Sequence, residues 1–131
     1  MGKNAIRRAI YLIILIGLLA GTGYFSDVFK KDTAVREIPI ELIENRLSYT
    51  KHARCRMECR EISEEDVLET LDNGIWNKDI SDMNEEPCPS YVLEHIAKDG
   101  QEIRVVFGLC TGVTKVITTI DLGERHECSC D

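Results

Sequence analysis

The sequence predicts an α+β domain that follows a hydrophobic N-terminal segment. An apolar repeat of helical period runs through residues 63–74, and an alternation of period two runs through residues 91–122. Helices followed by an antiparallel meander are typical of the α+β class. A third observation separates the N-terminus from this domain, because Ala9 to Phe25 form an uncharged run of 17 residues.

The hydrophobic run follows a leader that contains Lys3, Arg7 and Arg8 but no acidic residue. Its length lies at the short end for a membrane-spanning helix, and a basic leader favours a cytoplasmic N-terminus. The run has no convincing small-residue pattern for signal peptidase. We therefore predict an uncleaved signal anchor over residues 1–25, with a single pass through the cell inner membrane and the C-terminal domain outside the cytoplasm.

The rest of the chain divides into a predicted juxtamembrane linker, residues 26–48, and a small α+β domain, residues 49–131, with a cysteine-rich tail. From residue 26 onward there are 13 basic and 23 acidic residues, which gives a net charge of −10. A domain this acidic repels polyanions. We therefore do not expect nucleic acid as a partner, and we expect a protein partner besides the membrane.

The clearest helix of the domain has signals at both ends. Ser63 is a suitable N-cap, Asp66 stands at the capping-box position, and Gly74 ends the apolar stripe. A shorter and more polar helix is expected from His52. The Asp-Gly pair within Lys98–Gly100 predicts a tight hairpin turn between two strands.

The stretch between Tyr49 and Gly74 contains the pattern H-A-x-x-R-M-x-x-R-x-I-S, beginning at His52. This pattern resembles the bacterial family known as domain of unknown function 4258, and the similarity extends over roughly Tyr49 to Gly123. The resemblance implies a fold similar to RelE/ParE-like toxins, in which a helical hairpin packs on a small antiparallel sheet. It implies no established activity.

Six cysteines, all located after the hydrophobic run, indicate disulfides or a metal site. If the helix from His52 forms, Cys55 and Cys59 have Cβ atoms about 5–6 Å apart. A disulfide needs about 3.5–4.5 Å between Cβ atoms, so these two should not bridge each other. A bridge between Cys128 and Cys130 would be strained by its short spacing. Each pair therefore needs partners elsewhere.

Zinc and disulfides are alternative solutions for these two pairs. Cys55, Cys59, Cys128 and Cys130 are able to form a tetrahedral Zn²⁺ site with Zn–S distances near 2.3 Å, with His52 and His126 as substitute ligands. An oxidising compartment favours two or more disulfides instead, and free structural thiols are the third alternative. For Cys88 and Cys110 we expect a buried thiol or an isolated bridge.

Basic residues cluster around the same predicted helix. His52 and Arg56 lie four residues apart, so both side chains could meet one phosphate group, and Arg60 follows one turn later. The RelE-like resemblance implies that positioned cations of this kind cut RNA. The alternative is that these arginines pair with neighbouring glutamates on a solvated face, where each pair contributes less than about 1 kcal/mol.

We therefore predict a non-enzymatic structural or interaction module stapled by metal or by disulfides. The alternative hypothesis is a RelE-like ribonuclease relative in which His52, Arg56 and Arg60 are catalytic. The acidic charge, the cysteine content and the predicted anchor favour the first hypothesis, since fold alone is a poor guide to activity.

Overall fold

The structure, a computed structural model, describes residue 6, residues 8–17 and residues 37–130. The chain forms two compact units, Met1–Arg36 and Glu37–Asp131. Residues 37–48, which the sequence assigned to a linker, belong to the second unit. The remaining predicted linker residues, 26–36, lie outside the described residues.

The predicted membrane anchor is not supported. Residues 8–17 are helical. Among the residues that the structure describes, none of the helices combines the length and the apolar character that a membrane crossing requires. The predicted single-pass inner-membrane location is therefore contradicted. Residues 1–5, 7 and 18–25 of the predicted anchor lie outside the described part.

The second unit alternates short helices with five strands. In chain order its elements are α1 (Ile40–Glu44), β1 (Arg46–Tyr49), α2 (Lys51–Cys59), α3 (Glu64–Asn73), β2 (Ile75–Trp76), a 3₁₀ turn (Lys78–Ile80), β3 (Ser90–Ile96), β4 (Glu102–Cys110) and β5 (Val113–Asp121). The α+β class predicted from the sequence is confirmed.

The sheet is mixed, which corrects the prediction of an antiparallel sheet. Its strand order is β1-β5-β4-β3-β2, and the pairs β2–β3, β3–β4 and β4–β5 are antiparallel. β1 instead runs parallel to β5, with Arg46 opposite Val113 and Tyr49 opposite Val116. A parallel neighbour requires a long crossover, and here the crossover consists of every element from α2 to β4.

The turn between α2 and α3 is fixed by backbone hydrogen bonds. Ile62 N donates to Met57 O, and Glu61 N donates to Glu58 O, which together form a Schellman motif. Glu61 occupies its left-handed position at φ 55°. The chain then enters α3 through the predicted capping box, which is complete, since Ser63 and Asp66 each accept a hydrogen bond from the other's backbone.

The apolar core lies between the helices and one face of the sheet. Its fully buried members come from the helices and from the three long strands, and they include Leu42, Val67, Leu93, Val105, Phe107 and Val116. The predicted apolar stripe of α3 is correct at Val67 and Leu71, whereas Leu68 is 47% exposed and Thr70 is buried instead.

Helix α1 is part of this core although it lies where a linker was predicted. Leu42 is fully buried, and its carbonyl oxygen accepts a buried hydrogen bond of 2.8 Å from Thr114 Oγ1 on β5. The sequence signal was weak because α1 has only five residues and a single buried side chain.

Substitution Leu42→Ala should therefore destabilise the domain by about 2–5 kcal/mol, because it removes a fully buried side chain and leaves a cavity. The matched control is Ile40→Ala on the same helix, where a 57% exposed side chain should change stability by less than about 0.5 kcal/mol. Urea unfolding of both variants measures the difference. Equal, small effects would place α1 outside the cooperative core.

Candidate functional site

Helix α2 presents two different faces. Thr50 caps its N-terminus by accepting a hydrogen bond from Ala53 N, and Thr50 Oγ1 donates to Ile117 O on β5 at 3.1 Å. Ala53 and Met57 are buried in the core. With that face fixed on the sheet, the side chains of Cys55 and Cys59 meet the C-terminal tail.

The C-terminal tail, residues 122–130, is joined to α2 by two disulfides. Cys55 is bonded to Cys130 with a Cα–Cα distance of 5.7 Å, and Cys59 is bonded to Cys128 with a Cα–Cα distance of 5.9 Å. The later tail cysteine pairs with the earlier helix cysteine, so the tail runs antiparallel to α2. We call this pair of cross-links the tail ladder.

The cysteine spacings explain why two cross-links fit side by side. Four residues of helix rise about 6 Å, and two residues of extended chain advance about 6.6 Å. C-x₃-C on α2 and C-x-C in the tail therefore place their sulfurs at nearly the same interval. The sequence showed that each pair needs partners elsewhere. The equal spacing of the cysteines in C-x₃-C and in C-x-C is the signal that would have matched the helix pair with the tail pair.

His52 extends the ladder by one hydrogen bond at its end. Its Nδ1 lies 3.0 Å from Cys130 O and must donate, because a carbonyl oxygen only accepts. Its Nε2 lies 3.3 Å from Arg56 Nε and must therefore accept. Both ring nitrogens of His52 are engaged within the domain.

The other cations of the predicted cluster are held in different ways. Arg54 pairs with Glu64 at 3.0 Å and stacks over the ring of Tyr49 at 4.8 Å. Arg60 donates to Thr119 O on β5. Burial, with a smaller contribution from Arg56, lowers the pKa of Arg60. The structure thus brings His52 and Arg56 together and directs Arg60 towards the sheet.

A second polar cluster holds the tail where it leaves β5. The Asp121 carboxylate accepts hydrogen bonds from Gln101 Nε2 at 2.8 Å and from the backbone N–H groups of Gly123 and Glu124. It also lies 3.0 Å from His126 Nε2, and its side chain is only 6% exposed. The bond from Gln101, together with the bonds from the tail, lowers the pKa of Asp121 to about 2.

Asp121 and Gln101 were not predicted from the sequence, and His126 was predicted only as a substitute zinc ligand. The available signal was Asp121 followed two residues later by Gly123, since an Asp side chain commonly binds the backbone two residues on. In the structure His126 is paired with Asp121.

Three ligand atoms of Asp121, Glu124 and His126 lie within 4.8 Å of one another, at a groove of about 360 Å³. Arg60 and Arg125 line the same groove. Their positive charge opposes a cation, and Asp121 already accepts four hydrogen bonds. These contacts fit a structural anchor for the tail better than a metal site.

The third disulfide lies away from α2. Cys88, in the loop before β3, is bonded to Cys110 at the end of β4, so the isolated-bridge alternative describes this pair. All six cysteines are thus disulfide-bonded. The four predicted zinc ligands are together in the structure, in disulfide form, and zinc binding by their thiolates stays a prediction for the reduced chain.

The comparison with protein families matches residues 49–121 to the domain of unknown function DUF4258. The chain belongs to this family. No curated protein and no solved structure matches the chain. The DUF4258 segment contains α2, α3 and the strands β2 to β5, but it ends before the tail. The tail ladder therefore joins the DUF4258 segment to residues outside it.

Removing either disulfide of the tail ladder should lower the unfolding free energy much less than then removing the remaining one. One disulfide alone closes a loop with a sequence separation of 75 or 69, which should raise the unfolding free energy by roughly 4.5 kcal/mol. With that disulfide in place, the other closes a ring of about eight residues and adds roughly 2.5 kcal/mol. Cys55→Ser with Cys130→Ser should therefore lower the unfolding free energy by roughly 2.5 kcal/mol.

The matched control is the reciprocal pair, Cys59→Ser with Cys128→Ser, which should cost about the same. Replacing all four cysteines should cost roughly 7 kcal/mol. Urea unfolding without reductant gives the three values. Two equal and additive steps would contradict the nested arrangement.

Asp121→Asn should destabilise the domain at neutral pH but not in strong acid. The pKa of Asp121 is about 2 in the folded chain, against about 3.9 when unfolded. A lowered pKa stabilises the fold fully above about pH 4, and this stabilisation is lost as the pH falls to about 2. The difference from the unsubstituted chain should be about 2 kcal/mol at pH 7 and should vanish near pH 2. Asp72→Asn, at an exposed position of α3, is the control in the same unfolding series.

Proposed function

We propose that this DUF4258 chain is a non-enzymatic structural or interaction module whose C-terminal tail is stapled to α2, and that it works with a protein partner in an oxidising environment. The observation that carries the proposal is the tail ladder. It attaches a segment that lies outside the family match to the helix that contains His52 and Arg56.

The contacts of His52 support a structural role. Nδ1 is engaged by Cys130 O and Nε2 by Arg56, so neither nitrogen is free to take a proton from a substrate. A general base must reach the proton that it abstracts. In the cross-linked chain His52 instead fixes the end of the tail.

The charge distribution supports a protein partner over nucleic acid. The chain carries a net charge of −7 at pH 7, and α3 begins with Glu64, Glu65 and Asp66. Such a surface repels phosphate backbones and attracts partners with basic surfaces.

The cysteines support an oxidising environment. All six form disulfides, and structural disulfides persist in oxidising compartments but are rare where glutathione keeps thiols reduced. One disulfide of the ladder is enough to restrict the unfolded chain, and the presence of both fixes the direction of the tail.

A RelE-like ribonuclease relative is the second candidate. One observation favours it: His52 and Arg56 converge at 3.3 Å on one side of α2, with Arg60 one turn later. The packing of α2 and α3 on one face of the sheet is also compatible with the helical hairpin that the RelE-like resemblance implies. Catalysis would require the tail to leave His52, since the tail occupies Nδ1.

An RNA cleavage assay separates the two candidates. The full chain is incubated with labelled single-stranded RNA as the cross-linked protein and as the variant Cys128→Ser with Cys130→Ser, whose tail is released. Because losing both disulfides should cost roughly 7 kcal/mol, circular dichroism first establishes that this variant is folded. We expect no cleavage by either form. His52→Ala with Arg56→Ala should also leave the circular dichroism spectrum and the fold intact.

The matched control is Arg46→Ala, an exposed cation on β1. Cleavage by the tail-released chain that disappears with His52→Ala and Arg56→Ala, but persists with Arg46→Ala, would refute the non-enzymatic proposal. That result would establish the ribonuclease alternative.

A further inference from the structure

We propose that, when the tail ladder is reduced, Cys55, Cys59, Cys128 and Cys130 bind one Zn²⁺ ion. The same four sulfurs then staple the tail either as two disulfides or as one tetrahedral metal site. This inference rests on the proposed stapling function and adds a second, metal-bound form of the staple.

The backbone already places the four cysteines around one point. The Cα–Cα distances across the ladder are 5.7 and 5.9 Å. With ideal intervals of about 6 Å along α2 and about 6.6 Å along an extended tail, the four Cα atoms would approximate a rectangle. The centre of this rectangle lies roughly 4.3 Å from each Cα. A cysteine side chain with a Zn–S bond of about 2.3 Å spans a distance of this size. The tail therefore need not leave α2 for zinc to bind.

The chemistry balances with a phosphine as reductant. Each disulfide and one phosphine consume one water molecule, the phosphine leaves as its oxide, and two thiols are formed. Two such reactions free all four thiols. Zinc then displaces one proton from each sulfur, because the thiolate is the ligand. The product is a four-thiolate site with a net charge of −2.

The surrounding charges favour that product. Lys51 and Arg56 belong to α2, and Arg60 follows directly at its C-terminal end. An anionic metal site beside these cations would relieve their mutual repulsion, since a bound metal with its ligands is often the largest local charge. This charge balance would explain why an acidic domain carries a local cluster of basic residues.

The remaining cysteines provide a matched control within the same chain. Cys88 and Cys110 also form a disulfide, but no other cysteine accompanies them, so on reduction they offer only two sulfurs. A four-sulfur site cannot form there. The ligand atoms of Asp121, Glu124 and His126 form the rival site, which contains no sulfur.

The test uses the full chain reduced with a phosphine and titrated with Co²⁺, followed by native mass spectrometry with Zn²⁺. We expect one metal ion per chain and the intense visible absorption of tetrahedral cobalt thiolate. Cys59→Ser with Cys128→Ser should weaken binding at least about 100-fold, because loss of a mere outer-shell partner already costs roughly 10–100-fold. Circular dichroism with and without zinc monitors folding, since zinc binding itself stabilises the folded form.

Two further variants complete the test. Cys88→Ser with Cys110→Ser should keep one metal ion per chain and an unchanged spectrum, as should Glu124→Gln with His126→Ala. Failure of the reduced chain to bind either metal would overturn the inference. Binding that survives Cys59→Ser with Cys128→Ser would overturn it equally. Neither result bears on RNA cleavage, so failure of the metal site and failure of the non-enzymatic proposal are separate observations.

Discussion

Helix α2 is held from two sides, and the arrangement of the domain depends on this constraint. On one side Ala53 and Met57 are buried in the core. On the other side two disulfides and a hydrogen bond from His52 attach the tail. The sheet contact fixes the rotation of the helix about its axis, and that rotation decides which side chains the tail meets.

The sequence predicted those parts of the fold whose signals are local. The capping box at Ser63 and the turn at Gly100 each depend on a few neighbouring residues, and both are in the structure. The parallel pairing of β1 and the inclusion of α1 depend on contacts with β5, about 70 residues later. The periodicity of a short sequence stretch does not indicate contacts with distant residues. The edge of the sheet and the start of the domain were therefore not predicted.

The candidate site was predicted in part for a similar reason. The four cysteines were recognised as two pairs that need partners, because helix geometry excludes a bridge between Cys55 and Cys59. The sequence did not distinguish a metal site from a pair of disulfides, because both need the same sulfurs at the same intervals. Asp121 was missed because its role comes from Gln101, which lies 20 residues earlier, directly before β4.

The two rungs of the ladder contribute differently, and this difference explains why the chain has both. The first rung removes most of the loop entropy, whereas the second closes only a small ring. A single link would leave the tail free to pivot about one sulfur. Two links separated by about 6 Å along α2 define a direction, and only this direction places Cys130 O beside His52. The second disulfide therefore contributes orientation more than stability, and this orientation lets His52 donate to Cys130 O.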